Sequence, residues 1–220
     1  LQVLATYAAS TAFWAGLVKS ENQSLRRILV EQSELENECI RLKELSEIDE
    51  LTGLNNRRFF NRHLAYEVSR YNRYSHPLSL ALLDLDNLKT INDTHGHNVG
   101  DAALRFVATM ARTTMRESDY LSRVGGDEFA VILPDTPEPG ALAAAQRLGK
   151  AVSVEPLIVN ELEVNVSVSI GVAGFGESEA KDGEDFFRTV DRVLYLAKTR
   201  GKDRVVSRAS LKNPDDREGA

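Results

Sequence analysis

Three acidic side chains, Asp84, Asp127 and Glu128, stand where carboxylates can gather a divalent metal. Asp84 falls at the end of an apolar run, Leu78 to Leu85, and is followed by Leu85 and Asp86. Asp127 and Glu128 come directly after Gly125 and Gly126, between two strand-like runs, Tyr120 to Val124 and Phe129 to Leu133. Carboxylates at the ends of neighbouring strands converge on one spot, and Mg²⁺ takes a few such oxygens together with substrate phosphates. An Asp at a strand end also forms turns or caps helices, so either acidic pair alone leaves both roles open.

The elements that must position these acids are read from periodicity. Beyond Ser46 helical and extended segments alternate, the pattern of an α/β or α+β domain. Apolar residues at spacings of three and four predict helices near residues 56–73, 98–115, 138–153 and 184–199. Strands are expected at Leu78 to Leu85, on either side of the glycine pair, and along Glu163 to Ala173, where Val164, Val166, Val168 and Ile170 alternate. Gly125 and Gly126 read as a tight hairpin turn.

Composition narrows the class. The chain has 220 residues, 42% hydrophobic and 27% charged, enough for one enzyme-sized core and an appendage. A formal charge of -6 does not favour a polyanion, so no nucleic-acid partner is expected and any phosphate site must be local. The single cysteine, Cys39, permits no intrachain disulfide and fits a reducing cytoplasm, with membrane attachment through upstream sequence left open.

Leu1 to Val18 carries no charge, but Gln2, Thr6, Ser10 and Thr11 interrupt it and no basic segment precedes it. A helix packed in a sensor domain or dimer interface is expected there, rather than a signal peptide or a membrane span. A start at Leu1 without Met reads as a fragment of something longer. From Leu1 to Ser46 there is no Pro and one Gly, which predicts a single long helix. Ile28, Leu35 and Leu42 recur every seventh residue, with Leu25, Gln32 and Cys39 three residues ahead of each: a parallel coiled-coil seam. Leu29, Leu45 and Ile48 form a competing stripe. A solvated helix with one apolar face on its own domain is the alternative.

Gly125 to Phe129 spell GGDEF, and the chain resembles the GGDEF family of diguanylate cyclases well beyond those letters. The shared blocks are DELTGLNNRRFF (Asp49 to Phe60), DLDNLKTINDTHGHNVGD (Asp84 to Asp101), VSIGVA (Val168 to Ala173) and AKTRGKDRV (Ala197 to Val205), in family order and spacing. The resemblance implies a palm fold of the nucleotidyl cyclase kind: a central, mainly antiparallel sheet surrounded by helices, here preceded by the long coiled-coil helix. The expected divisions are residues 1–45 as signalling helix, 46–207 as cyclase domain and 208–220 as a flexible tail.

It further implies that two GTP are condensed into cyclic di-GMP by a homodimer, one GTP per subunit, under an upstream sensor domain. Asp84, the carbonyl of Leu85 and Asp127 then resemble the ligands of Mg²⁺, two ions per site, or of Mn²⁺. Glu128 resembles a second-metal ligand or a group assisting deprotonation. Asn92 and Asp101 correspond to guanine readers, His97, Gly125 and Gly126 to substrate-binding positions, and Lys198 and Lys202 to phosphate partners. Lys202 stands where many relatives have Arg, and Leu88 where relatives usually have Phe. Locally, Asn92 also fits a turn before Gly96, Asp101 a helix N-cap, and Lys198 a helix C-terminus. Arg116 and Asp119, with Arg147 on the next helix, resemble the family's product-inhibition site, although an Arg and Asp three apart also form ordinary surface pairs on helices. Three weaker readings are a degenerate GGDEF domain sensing GTP or cyclic di-GMP, disfavoured because such proteins typically lose the signature acids that are all present here, a cyclase making a cyclic mononucleotide, and a purely structural coiled coil.

Overall fold

Asn56 sets the start of the helix that opens residues 47–211. Its side chain accepts from the amides of Arg58 at 3.1 Å and Phe59 at 3.2 Å, the Asn N-cap that satisfies otherwise unpaired helix donors. The computed structural model describes Gln32 and residues 47–211. Helix α1, Arg57–Tyr74, ends on Ser75 in the left-handed region (φ 57°). Pro77 then releases the chain into β1, Leu78–Leu85.

Next come α2 (Leu88–His95), α3 (His97–Thr114), β2 (Tyr120–Arg123), β3 (Glu128–Pro134) and α4 (Glu138–Val154). A small hairpin follows, β4 (Leu157–Val159) and β5 (Leu162–Val164). The domain closes with β6 (Val168–Gly174), α5 (Gly183–Thr199), β7 (Val205–Ser207) and a 3₁₀ turn, Ala209–Leu211. The main sheet has five strands in the order β2-β3-β1-β6-β7; its first three pairings are antiparallel and β6–β7 is parallel.

β1 lies in the middle, buried on both faces, which is why it reads as a continuous apolar run. Ala81, Leu83 and Leu85 point into one cluster with Val107 of α3 and Leu148 of α4. Leu78, Leu80 and Leu82 point the other way, onto Phe60 and Leu64 of α1 and Phe186 and Val190 of α5. Gly171 lets α5 approach β6 closely, since a Cβ there would lie 2.3 Å from the Leu194 amide.

Two expectations need correction. Glu163 to Ala173 is not one strand: β5 pairs with β4 in a separate two-stranded sheet, and β6 begins at Val168. The β1–β6 ladder ends at Ser167, whose carbonyl accepts from the Asp86 amide at 2.9 Å beside the last pair, Leu85 with Val168, and whose hydroxyl donates to the Asp86 carboxylate at 2.8 Å. The hairpin β4–β5 turns on Asn160 (φ 49°) and Glu161 (φ 66°), two consecutive left-handed residues as in a type I′ turn. The glycine pair, by contrast, belongs to a four-residue connection, with the amides of Val124 (2.9 Å) and Gly125 (3.3 Å) both on the carbonyl of Glu128. Neither glycine has a positive φ. Two further elements, α2 and β7, have no counterpart among the expected ones: α2 buries only Ile91, and β7 is three residues long, so neither carries a readable period.

The heptad seam, its competing stripe and the uncharged run Leu1 to Val18 lie outside the described residues, Gln32 and Ile48 excepted; Ile48 is exposed and forms an isolated antiparallel bridge with Asn55. Among the described residues no helix is long and apolar enough to cross a membrane.

Candidate active site

Strand register brings the acids together. Asp84, the seventh residue of β1, is opposite Glu128, the first of β3, and the amide of Leu85 donates to the carbonyl of Asp127 at 3.0 Å. The alternation of β1 turns Asp84 to the same face as Leu80 and Leu82, towards α5. There Lys198, on the last turn of α5, places Nζ 2.6 Å from Asp84 Oδ2. Asp84 is 8% exposed. Burial raises its pKa, the Lys198 bond opposes that, and the negative charges of Asp127 and Glu128 add to the rise, which ends at about 6.

Two carboxylates thus crowd a third, an excess of negative charge that a divalent cation relieves. No group of three or more His, Cys, Asp or Glu side chains among the described residues is arranged to hold a metal alone. An ion here must complete its shell with backbone carbonyls, water and phosphate oxygens. Mg²⁺ does this routinely, so the residues fit the group.

Asp86 does different work. Its carboxylate is 3% exposed and accepts from Ser167 Oγ at 2.8 Å, Ser169 Oγ at 2.7 Å and the Asp203 amide at 3.0 Å. It thereby ties β6 to the turn after α5, where Lys202 (φ 61°) and Asp203 (φ 43°) are both left-handed. Lys202 Nζ donates to Asn87 Oδ1 at 2.6 Å.

The glycine turn is shaped by space. A Cβ on Gly125 would lie 2.4 Å from Glu128 Oε2, so the Glu128 side chain folds back over that position; a Cβ on Gly126 would meet nothing within 4 Å. Beside it is a cleft of about 550 Å³ lined by Asn92, His97, Gly126 and Asp127, together with Leu88, Lys89, Asp93, Leu104 and Arg123. Lys89, Asn92 and Asp93 share one face of α2 at spacings of three and four. That signal was legible only once the segment is read as a helix. Asn92 is half-buried, and its Oδ1 is wholly buried with no hydrogen-bond partner among the described residues. His97 is exposed at the first position of α3. Asp101 is half-buried one turn further along α3, inside the helix and not at its N-cap, and it does not line the cleft. Lys198 and Lys202 likewise lie outside the lining, engaged by Asp84 and Asn87.

Arg116 and Asp119 form no helical surface pair, because they occupy the turn between α3 and β2. The Arg116 amide donates to Asp119 Oδ2 at 2.9 Å and the Asp119 amide to the Arg116 carbonyl at 3.0 Å. Asp119 is buried, and burial raises its pKa against the pull of Arg116 and Arg147. Both arginine side chains are exposed around it.

Comparison with known proteins gives the family. The family model described as diguanylate cyclase, GGDEF domain, matches residues 46–204. The chain is 40% identical to diguanylate cyclase DosC of Escherichia coli over 159 residues, covering 72% of this chain and 34% of DosC. It is 39% identical to the response regulator PleD of Caulobacter vibrioides over 169 residues, covering 76% and 37%. It thus spans little more than a third of either relative. The coiled coil and GGDEF domain of DgcB from Caulobacter crescentus, solved with c-di-GMP, superposes with a TM-score of 0.70 at 27% identity, covering 86% of this chain and 99% of that one.

Proposed function

The chain belongs to the GGDEF family of diguanylate cyclases, and on that premise we propose that it condenses two GTP into cyclic di-GMP and two pyrophosphates. The observation that carries the reading is the register pairing Asp84 with Glu128, which brings Asp84, Asp127 and Glu128 together; burial first, and the two neighbouring charges after it, raise the Asp84 pKa to about 6. Each subunit of a homodimer contributes one GTP. The 3′-oxygen of one nucleotide bonds to the α-phosphorus of the other as the bond to the β-phosphate oxygen breaks and pyrophosphate leaves; a second such step closes the ring.

Asp84, the carbonyl of Leu85 and Asp127 would hold Mg²⁺, two ions per site or Mn²⁺ in their place, with Glu128 as a further ligand or as the acceptor of the 3′-hydroxyl proton. The chemistry such an ion would supply is neutralisation of the triphosphate and of the developing charge. Lys198, now paired with Asp84, and Lys202, now paired with Asn87, would supply point charges to the phosphate oxygens. The unobstructed backbone at Gly126 admits the triphosphate. Asn92 and Asp101 read the guanine edge, the carboxylate accepting from N1 and N2 donors that adenine lacks, and His97 borders the base. Product bound at Arg116, Asp119 and Arg147 inhibits turnover, and an upstream sensor sets the dimer through the N-terminal helix.

Incubation with GTP and Mg²⁺ followed by chromatography tests this. Wild type is expected to yield cyclic di-GMP and Asp127→Ala none. A wild-type dimer that makes no cyclic dinucleotide, or a strict monomer that makes it equally fast, overturns the reading.

A further inference from the structure

Gly100 is a buried glycine four residues into the eighteen-residue helix α3, and its φ is not positive. Glycine in a helix interior is less stable than alanine, and the backbone conformation here does not call for it. Space does. A Cβ on Gly100 would lie 1.9 Å from Asn92 Oδ1, 2.9 Å from Asn92 Cγ and 3.2 Å from Leu88 Cδ1. The Asn92 carboxamide therefore rests directly on the backbone of α3, over the missing Cβ. Leu88, one turn earlier on α2, packs against the same spot, and both residues border the cleft. Burying an amide oxygen without a partner is costly, so the seat holds Asn92 in a position it would not choose for its own stability.

We infer that Gly100 is a positioning residue for nucleotide recognition: its lack of a side chain fixes the Asn92 carboxamide at the wall of the cleft before the base arrives. Pre-placement removes an ordering cost from binding. The inference rests on the proposed reading of Asn92 as a base-recognition group.

The test is a double-mutant cycle with Gly100→Ala, Asn92→Ala and the double variant in the full chain. It reads equilibrium affinity for α,β-methylene GTP, whose pyrophosphate cannot leave, and thermal melting without nucleotide. Gly100→Ala is expected to weaken affinity about ten-fold, by a factor similar to Asn92→Ala, with the double variant no weaker than either. In the Asn92→Ala background, where the amide no longer occupies the space, Gly100→Ala is expected to raise the melting temperature, as helix propensity dictates; in wild type it does not. The melting comparison stands even if the single Gly100→Ala variant folds poorly. Wild-type affinity in Gly100→Ala beside weakened Asn92→Ala overturns the inference alone, as do losses that simply add or an equal loss of stability in both backgrounds. Wild-type affinity in Asn92→Ala instead overturns the base-recognition reading, and the inference with it.

Discussion

Arg123 joins Asp49 to Gly126. Its Nη1 lies 3.3 Å from both Asp49 carboxylate oxygens, while Nη2 and Nε donate to the Gly126 carbonyl at 2.6 and 3.2 Å. Asp49 in turn organises the turn leading into α1, accepting from the Thr52 hydroxyl at 2.6 Å and amide at 2.9 Å. Burial works against its ionisation, yet the Thr52 bonds and the Arg123 charge hold its pKa below the ordinary value. One guanidinium thus couples the segment that enters the domain to the turn carrying Asp127.

Removing that guanidinium is expected to loosen the turn and leave the Asp49 carboxylate short of a partner. Arg123→Ala should cost about 1–3 kcal/mol in urea unfolding. Turnover should drop roughly ten- to a hundred-fold, because Asp127 follows the freed carbonyl. Arg123→Lys should recover only part of this, since a point charge cannot span both partners. An Arg123→Ala variant with unchanged turnover would remove the link between entry segment and site.

Asp84 makes stability depend on pH. Its folded pKa of about 6 exceeds the ordinary 3.8, so between those values the folded state binds a proton that the unfolded state has released. Its contribution is therefore fully present below about pH 4 and is lost as pH rises through about 6. Without divalent ions, the melting-temperature difference between Asp84→Asn and wild type is expected to grow in favour of the variant from pH 4 to 7. Saturating Mg²⁺ should remove the advantage by stabilising wild type alone. A pH-independent difference would contradict the assignment.

At the turn before β2, the Arg116 backbone is held by Asp119 while its side chain stays exposed. Arg116→Ala should therefore leave the turn folded and initial turnover intact, and raise by about ten-fold or more the cyclic di-GMP level that halves the rate. Asp119→Ala, which also deletes the acceptor of the Arg116 amide, should in addition lower the melting temperature. An unaltered inhibition curve for Arg116→Ala would argue against product binding there.

Asp86 is expected to behave as a structural acid. Asp86→Ala leaves two serine hydroxyls and the Asp203 amide without their acceptor, at a cost of about 2–4 kcal/mol in chemical denaturation. A loss well under 1 kcal/mol would show that water replaces the carboxylate without penalty.

The sequence by itself determined what depends on neighbours a few residues away. The helices near 56–73, 98–115, 138–153 and 184–199 follow from apolar spacings of three and four, and their observed bounds lie within one residue of those expected. The cap at Asn56, the run of β1 and the acids at the strand ends are local in the same sense. Only the tertiary structure decided which strand edges meet and what each polar group finds there. Glu163 to Ala173 alternates like one strand, yet Val164 pairs with Leu157 in the small hairpin and Val168 pairs with Leu85 of β1. Likewise no local pattern shows that Lys198 reaches Asp84, that Arg123 reaches Asp49, or that Gly100 is small because Asn92 lies on it. Periodicity records which face of an element is buried, whereas hydrogen bonds and close approaches depend on the particular atoms opposite that face, and folding alone brings those together.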